Sequence, residues 1–336
     1  MRKLIVLFLA VPLLLSAADT VDIYWIDVEG GASTLIVTQA GETILMDAGY
    51  PGNNDRDAKR VHGVLTRQAK MNKIDYFITS HFHGDHVGGL PALAKMVPIG
   101  AFLDHGESVD AASKRGKPLW DSYLAAAGDK RRVVKPGETL PLKGVELQIL
   151  AADNETLAKP VAGGGAANPS CANFEVRPED KGENGKSVGY LLRVGKFEFL
   201  NLGDLSWNYQ YQLACPKNMI GEVDLFQVTH HSGDDVVPQQ VWAAKPSVAV
   251  LNNGPRKGGH PTAFETVSAS PGLEDLWQLH RAMGSDEAHN TEERLTANLT
   301  ETDNCQGGFI HAALHSDGSY TLTNSRNGYS KTYRSK

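Results

Sequence analysis

The chain has 336 residues, with 33 Lys and Arg against 39 Asp and Glu, a formal net charge of -6 and 41% hydrophobic residues. The acidic balance argues against a broad basic face gripping nucleic acid, so no affinity for duplex DNA is expected. Three cysteines, Cys171, Cys215 and Cys305, show no Cys-x-x-Cys pairing, which argues against thiolate metal sites and redox motifs.

Residues 1–18 read as a secretory signal: Arg2 and Lys3 at the start, an apolar run from Leu4 to Leu15, and the small residues Ser16-Ala17-Ala18. The run is shorter than the roughly 20 residues that span a bilayer, so no membrane anchor is expected after cleavage. Cleavage removes two cations and no acid, taking the net charge from -6 to -8. The expected location is periplasmic or extracellular, where one disulfide and one free thiol suit three cysteines; the sequence does not choose the pair. The remainder, 19–336, reads as a single domain with an insertion near 154–186 and a C-terminal hairpin extension at 305–336.

In chain order, Val21–Val28, Ser33–Thr38 and Thr43–Met46 predict a meander of short antiparallel strands that ends in Asp47-Ala48-Gly49. Asp55–Met71 has helical spacing and delivers the chain to a buried strand at Ile74–Thr79, after which Gly88-Gly89 opens a second helix. Ala101–Leu103, Arg132–Val134 and Val145–Leu150 predict strands, and Pro118–Ala127 a helix. Asn154–Lys186 is rich in Gly, Pro, Asn and Ala and predicts loop. Ser187–Val194 and Phe197–Leu202 form a hairpin ending at Gly203-Asp204, and Leu225–Thr229 a buried strand ending at His230-His231. Val236–Ala244 is expected to be helix, Ser247–Leu251 strand, Glu274–Met283 helix, and Phe309–His315 with Tyr320–Thr323 a hairpin. Strands covered by helices on both sides imply an α+β, four-layer αββα sandwich.

The stretch His81-Phe82-His83-Gly84-Asp85-His86 follows a buried strand directly. Imidazole nitrogen and carboxylate oxygen suit zinc and similar divalent ions. The His-x-His alternation points two ligands one way while Asp85 and His86 turn toward a neighbouring position, so one loop can feed two adjacent ions. Asp204, His230 and His260 each follow an apolar strand and can converge on the same edge.

With these pieces in this order, the chain resembles the metallo-β-lactamase superfamily. The signature His-x-His-x-Asp-His stands unchanged at His81 to His86, between the early Asp47-Ala48-Gly49 and the later Gly203-Asp204 and histidines. Within the superfamily it most resembles the hydrolase domain of ComEC-type competence proteins and the bacterial phosphorylcholine esterases. The marks are Ile26-Asp27-Val28-x-Gly30-Gly31-Ala32, Asn184-x-x-Ser187, His230-His231-Ser232-Gly233 and Gly259-His260-Pro261. The resemblance implies the metallo-β-lactamase fold and two divalent ions, zinc first, with manganese or iron as alternatives. His81 and His83 would hold one ion, Asp85 and His86 the other, and Asp204 would bridge. Strand alternation favours His230 over His231 as the last ligand, the other serving as a hydrogen-bond donor or proton carrier. Asp47 would orient a ligand histidine. The usual third histidine for the first ion is missing, since His105 lies too close to the first loop; this is typical of the ComEC-like branch and counts against a penicillin-hydrolysing enzyme.

The implied chemistry is hydrolysis of a phosphodiester or phosphomonoester, in a small molecule or a polymer, by a hydroxide held between two ions. Asp85, His231, His260 and the Asn252-Asn253-Gly254 turn are the catalytic and charge-stabilising candidates. Hydrolysis of a carboxylic ester, lactone or lactam is the alternative, and a noncatalytic metal-binding module a further one. His280 is expected to pack with Trp277 on one helical face. The sequence leaves the oligomeric state open.

Overall fold

The computed structural model describes residues 20–174, 177–302 and 305–336, so the expected signal segment lies outside the described residues. Strand alternation builds the layers. In β1 (Thr20–Ile26), Val21, Ile23 and Trp25 enter one apolar cluster while Tyr24 and Ile26 enter another on the opposite face. The first sheet continues with β2 (Thr34–Val37), β3 (Thr43–Met46), β4 (Ile74–Ile78), β5 (Ile99–Asp104) and β6 (Arg131–Val133). The second holds β7 (Glu146–Ala152), β8 (Glu155–Thr156), β9 (Gly189–Val194), β10 (Phe197–Asn201), β11 (Leu225–Gln227), β12 (Val248–Leu251), β13 (Asp275–His280) and β14 (Thr296–Asn298). The chain then returns to the first sheet as β15 (Phe309–His315), β16 (Ser319–Asn324) and β17 (Ser330–Arg334).

Among the described residues the sheet orders are β17-β16-β15-β1-β2-β3-β4-β5-β6 and β14-β13-β12-β11-β10-β9-β7-β8. Trp25, Ile78, Phe199, Val250 and Trp277 pack between the sheets. α1 (Arg56–Gly63), extended by a π-helical turn over Val64–Gln68, covers the outer face of the first sheet with α2 (Gly84–Val87), α3 (Leu90–Met96) and α4 (Gly116–Ala127). α5 (Trp207–Ala214), α6 (Pro238–Ala244) and α7 (Pro261–Ser268) cover the second. The four-layer αββα arrangement is the expected one.

Two parallel sets matter for the site. β3, β4 and β5 run parallel in one sheet, and β10, β11 and β12 in the other, so the loops after β3, β4, β10, β11 and β12 gather at one edge. Near that edge Gln227 Oε1 accepts from Trp25 Nε1 (3.0 Å) and Thr34 Oγ1 (2.7 Å), a buried polar tie between the sheets.

Two expectations change. Glu274–Met283 is not a helix: β13 pairs parallel with β12, and Trp277 and Leu279 face the inter-sheet core while Leu276 faces the helices. A strand buried on both faces has no polar side to reveal its period. Trp277 and His280 therefore lie on opposite faces. The C-terminal hairpin is three strands, and β15 pairs with β1 over its whole length, so it completes the first sheet rather than extending from it. The opening meander of β1 to β3 is antiparallel as expected, and β4 then joins β3 parallel.

The described residues of 154–186 are largely irregular, and the disulfide Cys171–Cys215 ties them to the end of α5; Cys305 is the free thiol. Among the described residues no helix is long and apolar enough to cross a membrane.

Candidate metal centre

The His81–His86 loop leaves β4 and turns into α2, which places Asp85 and His86 in its first turn. His81 and His86 are fully buried, and Asp85 and Asp204 nearly so. Asp47, left-handed (φ 64°) at the end of β3, binds this loop twice. Its Oδ1 accepts from Ser80 N (2.8 Å), and its Oδ2 from Ser80 Oγ (2.6 Å), with His86 Nδ1 2.8 Å from Oδ2. A proton on His86 Nδ1 satisfies that contact and leaves Nε2 with its lone pair facing the site.

Nε2 of His86 lies 3.0 Å from Nε2 of His231, and each is 3.1 Å from Asp204 Oδ2. His231 Nδ1 is 3.2 Å from Asn252 O, a carbonyl that can only accept, so its Nε2 is also a lone pair. Two lone pairs and a carboxylate cannot face one another at these distances without a proton or a cation between them. Asp85, at 3.1 Å from His231 and 3.2 Å from His86 through Oδ2, completes a four-donor set. Beside it, His81 Nε2 is 2.9 Å from His83 Nδ1 and 4.0 Å from Asp204 Oδ2. Asp85, His86, Asp204 and His231 could thus hold a metal ion, with His81 and His83 beside them.

The electrostatics follow. Burial disfavours charge on His86, but Asp204, Asp85 and Asp47 outweigh it and hold the ring well above its ordinary range. Burial would raise Asp85 and Asp204, yet the facing histidines bring both below the usual carboxylate range. His81 and His83 are held low by burial and then by His86, and so are ready to ligate.

His231, not His230, faces Asp85 and His86. The expectation that favoured His230 assumed that strand alternation continues, but β11 stops at Gln227 and His230, His231 and Ser232 are left-handed (φ 52°, 51° and 65°). The tight turn rolls His231 inward. His230 keeps its Nδ1 on Asp235 (2.7 Å) and stands with Nε2 3.6 Å from Asp204 and 3.2 Å from the Asn184 amide. Burial opposes its charge, but Asp204 and Asp235 carry it up to about 9. His260 is likewise not brought in: its exposed ring caps α7, with Nδ1 accepting from Thr262 N, and only its backbone N bonds Ser232 O. Asn252 acts through its carbonyl on His231, and Asn253 Nδ2 is spent on His280 O and Gly254 O.

Two residues escaped the sequence reading. Lys257 pairs through Nζ with Asp85 Oδ2, a cation at the rim of the donor set. Glu183, from the insertion, accepts from Phe82 N (3.0 Å), Ser108 Oγ and Val109 N and pairs with His105 (3.1 Å), fixing the backbone between His81 and His83. Neither lies in a periodic or motif-like context, so only the folded chain reveals them.

Two sheets face to face between helices, with buried histidines and carboxylates at their strand ends, define a metal-binding αββα protein with the metallo-β-lactamase fold. Residues 26–158 match the profile of the Metallo-beta-lactamase superfamily. A UPF0173 metal-dependent hydrolase of Cupriavidus taiwanensis is 24% identical over 263 residues, 75% of this chain and 81% of that protein. Another from Cupriavidus metallidurans is 31% identical over 189 residues, 56% of each chain. Among solved structures, the metallo-beta-lactamase fold protein YhfI of Bacillus subtilis aligns with 87% of this chain and 100% of its own at 11% identity and a TM-score of 0.47.

Proposed function

We propose that the protein is an exported, binuclear metal-dependent hydrolase of phosphodiesters or phosphomonoesters, close to the ComEC-type and phosphorylcholine-esterase branch. The observation that carries the hydrolase reading is the convergence of His86, His231, Asp85 and Asp204 donor atoms with each imidazole's other nitrogen already engaged. The names of the UPF0173 relatives support it. Two divalent ions would supply an activated water and an electrophilic clamp on the oxygen under attack. Zinc suits the N/O donor set, as manganese or iron also would.

The chain's own residues do the rest. Asp47 and the Asn252 carbonyl hold the His86 and His231 rings in register. Glu183 fixes the loop that carries His81 and His83. Lys257, partly exposed beside Asp85, offers a cation to an anionic substrate, which favours a phosphoester over a neutral ester or lactone. His230, with Nδ1 on Asp235 and Nε2 turned toward Asp204, stands where it could pass a proton to a leaving oxygen. The Cys171–Cys215 disulfide supports export to an oxidising compartment.

The test is turnover of bis-(p-nitrophenyl) phosphate by the metal-replete protein, abolished in Asp204→Ala. Turnover of a lactone or of nitrocefin with no phosphodiester activity would replace this reading by the ester or lactam alternative. Full metal occupancy with no turnover on any of these would leave a binding module.

A further inference from the structure

His280 is the observation that the centre above does not absorb. Its ring is wholly buried at the end of β13, and its Nδ1 lies 2.9 Å from the Arg281 carbonyl, which can only accept. The neutral ring therefore carries its proton on Nδ1 and presents a lone pair at Nε2, and that atom has no hydrogen-bond partner. Burying an unpaired polar atom is costly, so such atoms call for an explanation. Nε2 faces two carboxylates: Glu29 Oε2 is 4.0 Å away, and donor atoms of Asp27, Glu29 and His280 all lie within 4.8 Å of one another. A lone pair and two carboxylates turned toward one space repel unless a proton or a cation lies between them.

The surroundings are arranged to orient these donors. Asp27 is buried and is braced by Asn298 Nδ2 (2.8 Å) and Glu29 N (2.9 Å). Arg60 takes Glu29 Oε1 (3.0 Å) and the Asp27 carbonyl (3.0 Å), leaving Oε2 toward His280. Cys305 brings a thiol within hydrogen-bonding reach of the Glu29 carboxylate, and its sulfur receives Asn298 Nδ2 (2.8 Å) and Gly307 N (3.3 Å). Burial and the Glu29 contact hold the Cys305 thiol protonated, so it braces the Glu29 carboxylate from outside the donor set.

We propose that Asp27, Glu29 and His280 form a further metal site, separate from the His81–His231 centre, that takes one zinc-class divalent ion. Two carboxylates and an imidazole suit zinc better than magnesium or calcium, which take oxygen donors. The site joins the end of β1 and the end of β13. Its loop packs on the Lys257 loop so closely that a Cβ on Gly30 would meet Lys257 Cβ at 2.9 Å. The ion thus pins the segments that frame the main centre without belonging to it.

The test uses the full chain with the main centre disabled by His86→Ala and Asp204→Ala, loaded with zinc and dialysed. One zinc per chain is expected to remain, and the added His280→Gln is expected to remove it. No retained zinc, or zinc retained equally with His280→Gln, would overturn the site. Where a variant fails to fold, zinc-edge anomalous scattering from wild-type crystals decides: a peak between Asp27 and His280 supports the site, and its absence removes it. None of these readouts depends on turnover, so they stand or fall apart from the hydrolase reading.

Discussion

Nε2 of His231 lies 3.0 Å from Nε2 of His86, with the Nδ1 atoms of both rings already committed to oxygen acceptors. That arrangement assigns the late ligand to His231. His231→Ala is expected to lose at least ~100-fold in metal affinity and in turnover, more than loss of a supporting contact would cost. His230→Ala should keep its metal while turnover falls. Calorimetric metal titration of both variants checks this, and metal loss confined to His230→Ala would reverse the assignment.

Asp47 touches no expected ion, yet its Oδ2 orients His86 and its Oδ1 ties down Ser80. Asp47→Asn preserves shape but removes the charge that favours a proton on His86 Nδ1. A loss of roughly 10- to 100-fold in metal affinity or activity is expected, the usual cost of such supporting contacts. An affinity equal to wild type would show that Ser80 alone suffices.

The ease of reading this site from sequence followed its locality. His81, His83, Asp85 and His86 are contiguous, so one strand exit fixes them, and Asp47 and Asp204 each follow a strand whose apolar run was plain. His231 depended on three left-handed residues that no propensity announces. Glu183 and Lys257 reach the centre from loops positioned by tertiary contact, with sequence separations of 101 residues to Phe82 and 172 to Asp85. The same limit hid β13, whose burial on both faces left no alternation to see, and with it the neighbours of His280.

Glu183 gives a pH dependence. Burial would raise its carboxyl, but the His105 contact and the Ser108 and Phe82 donors bring it down to about 2 from an ordinary 4.5. A carboxyl lowered in the folded state contributes stability that is complete above its unfolded value and is lost as pH falls from about 4.5 toward about 2. The contribution is on the order of 3 kcal/mol at neutral pH, from about 1.4 kcal/mol per pH unit. Glu183→Gln is expected to be less stable at pH 7 and to show a flatter stability profile across that acid window. Urea unfolding at several pH values measures it, and parallel profiles for the two proteins would refute the assignment.

Lys257 separates charge recognition from scaffolding. Burial works against its charge, but Asp85 and Asp204 hold the ammonium protonated, and it pairs with Asp85 from a loop that also contacts Gly30. A cation filling the donor set would compete with that ammonium for Asp85 and free it to meet an anionic substrate. Lys257→Met keeps the aliphatic stem and removes the charge. For bis-(p-nitrophenyl) phosphate a loss of about 10- to 100-fold in kcat/KM is expected, the worth of a hydrogen bond to a charged group. A neutral ester or lactone should lose much less. Equal losses on both substrates would mean that Lys257 acts through the shape of its loop and not through its charge.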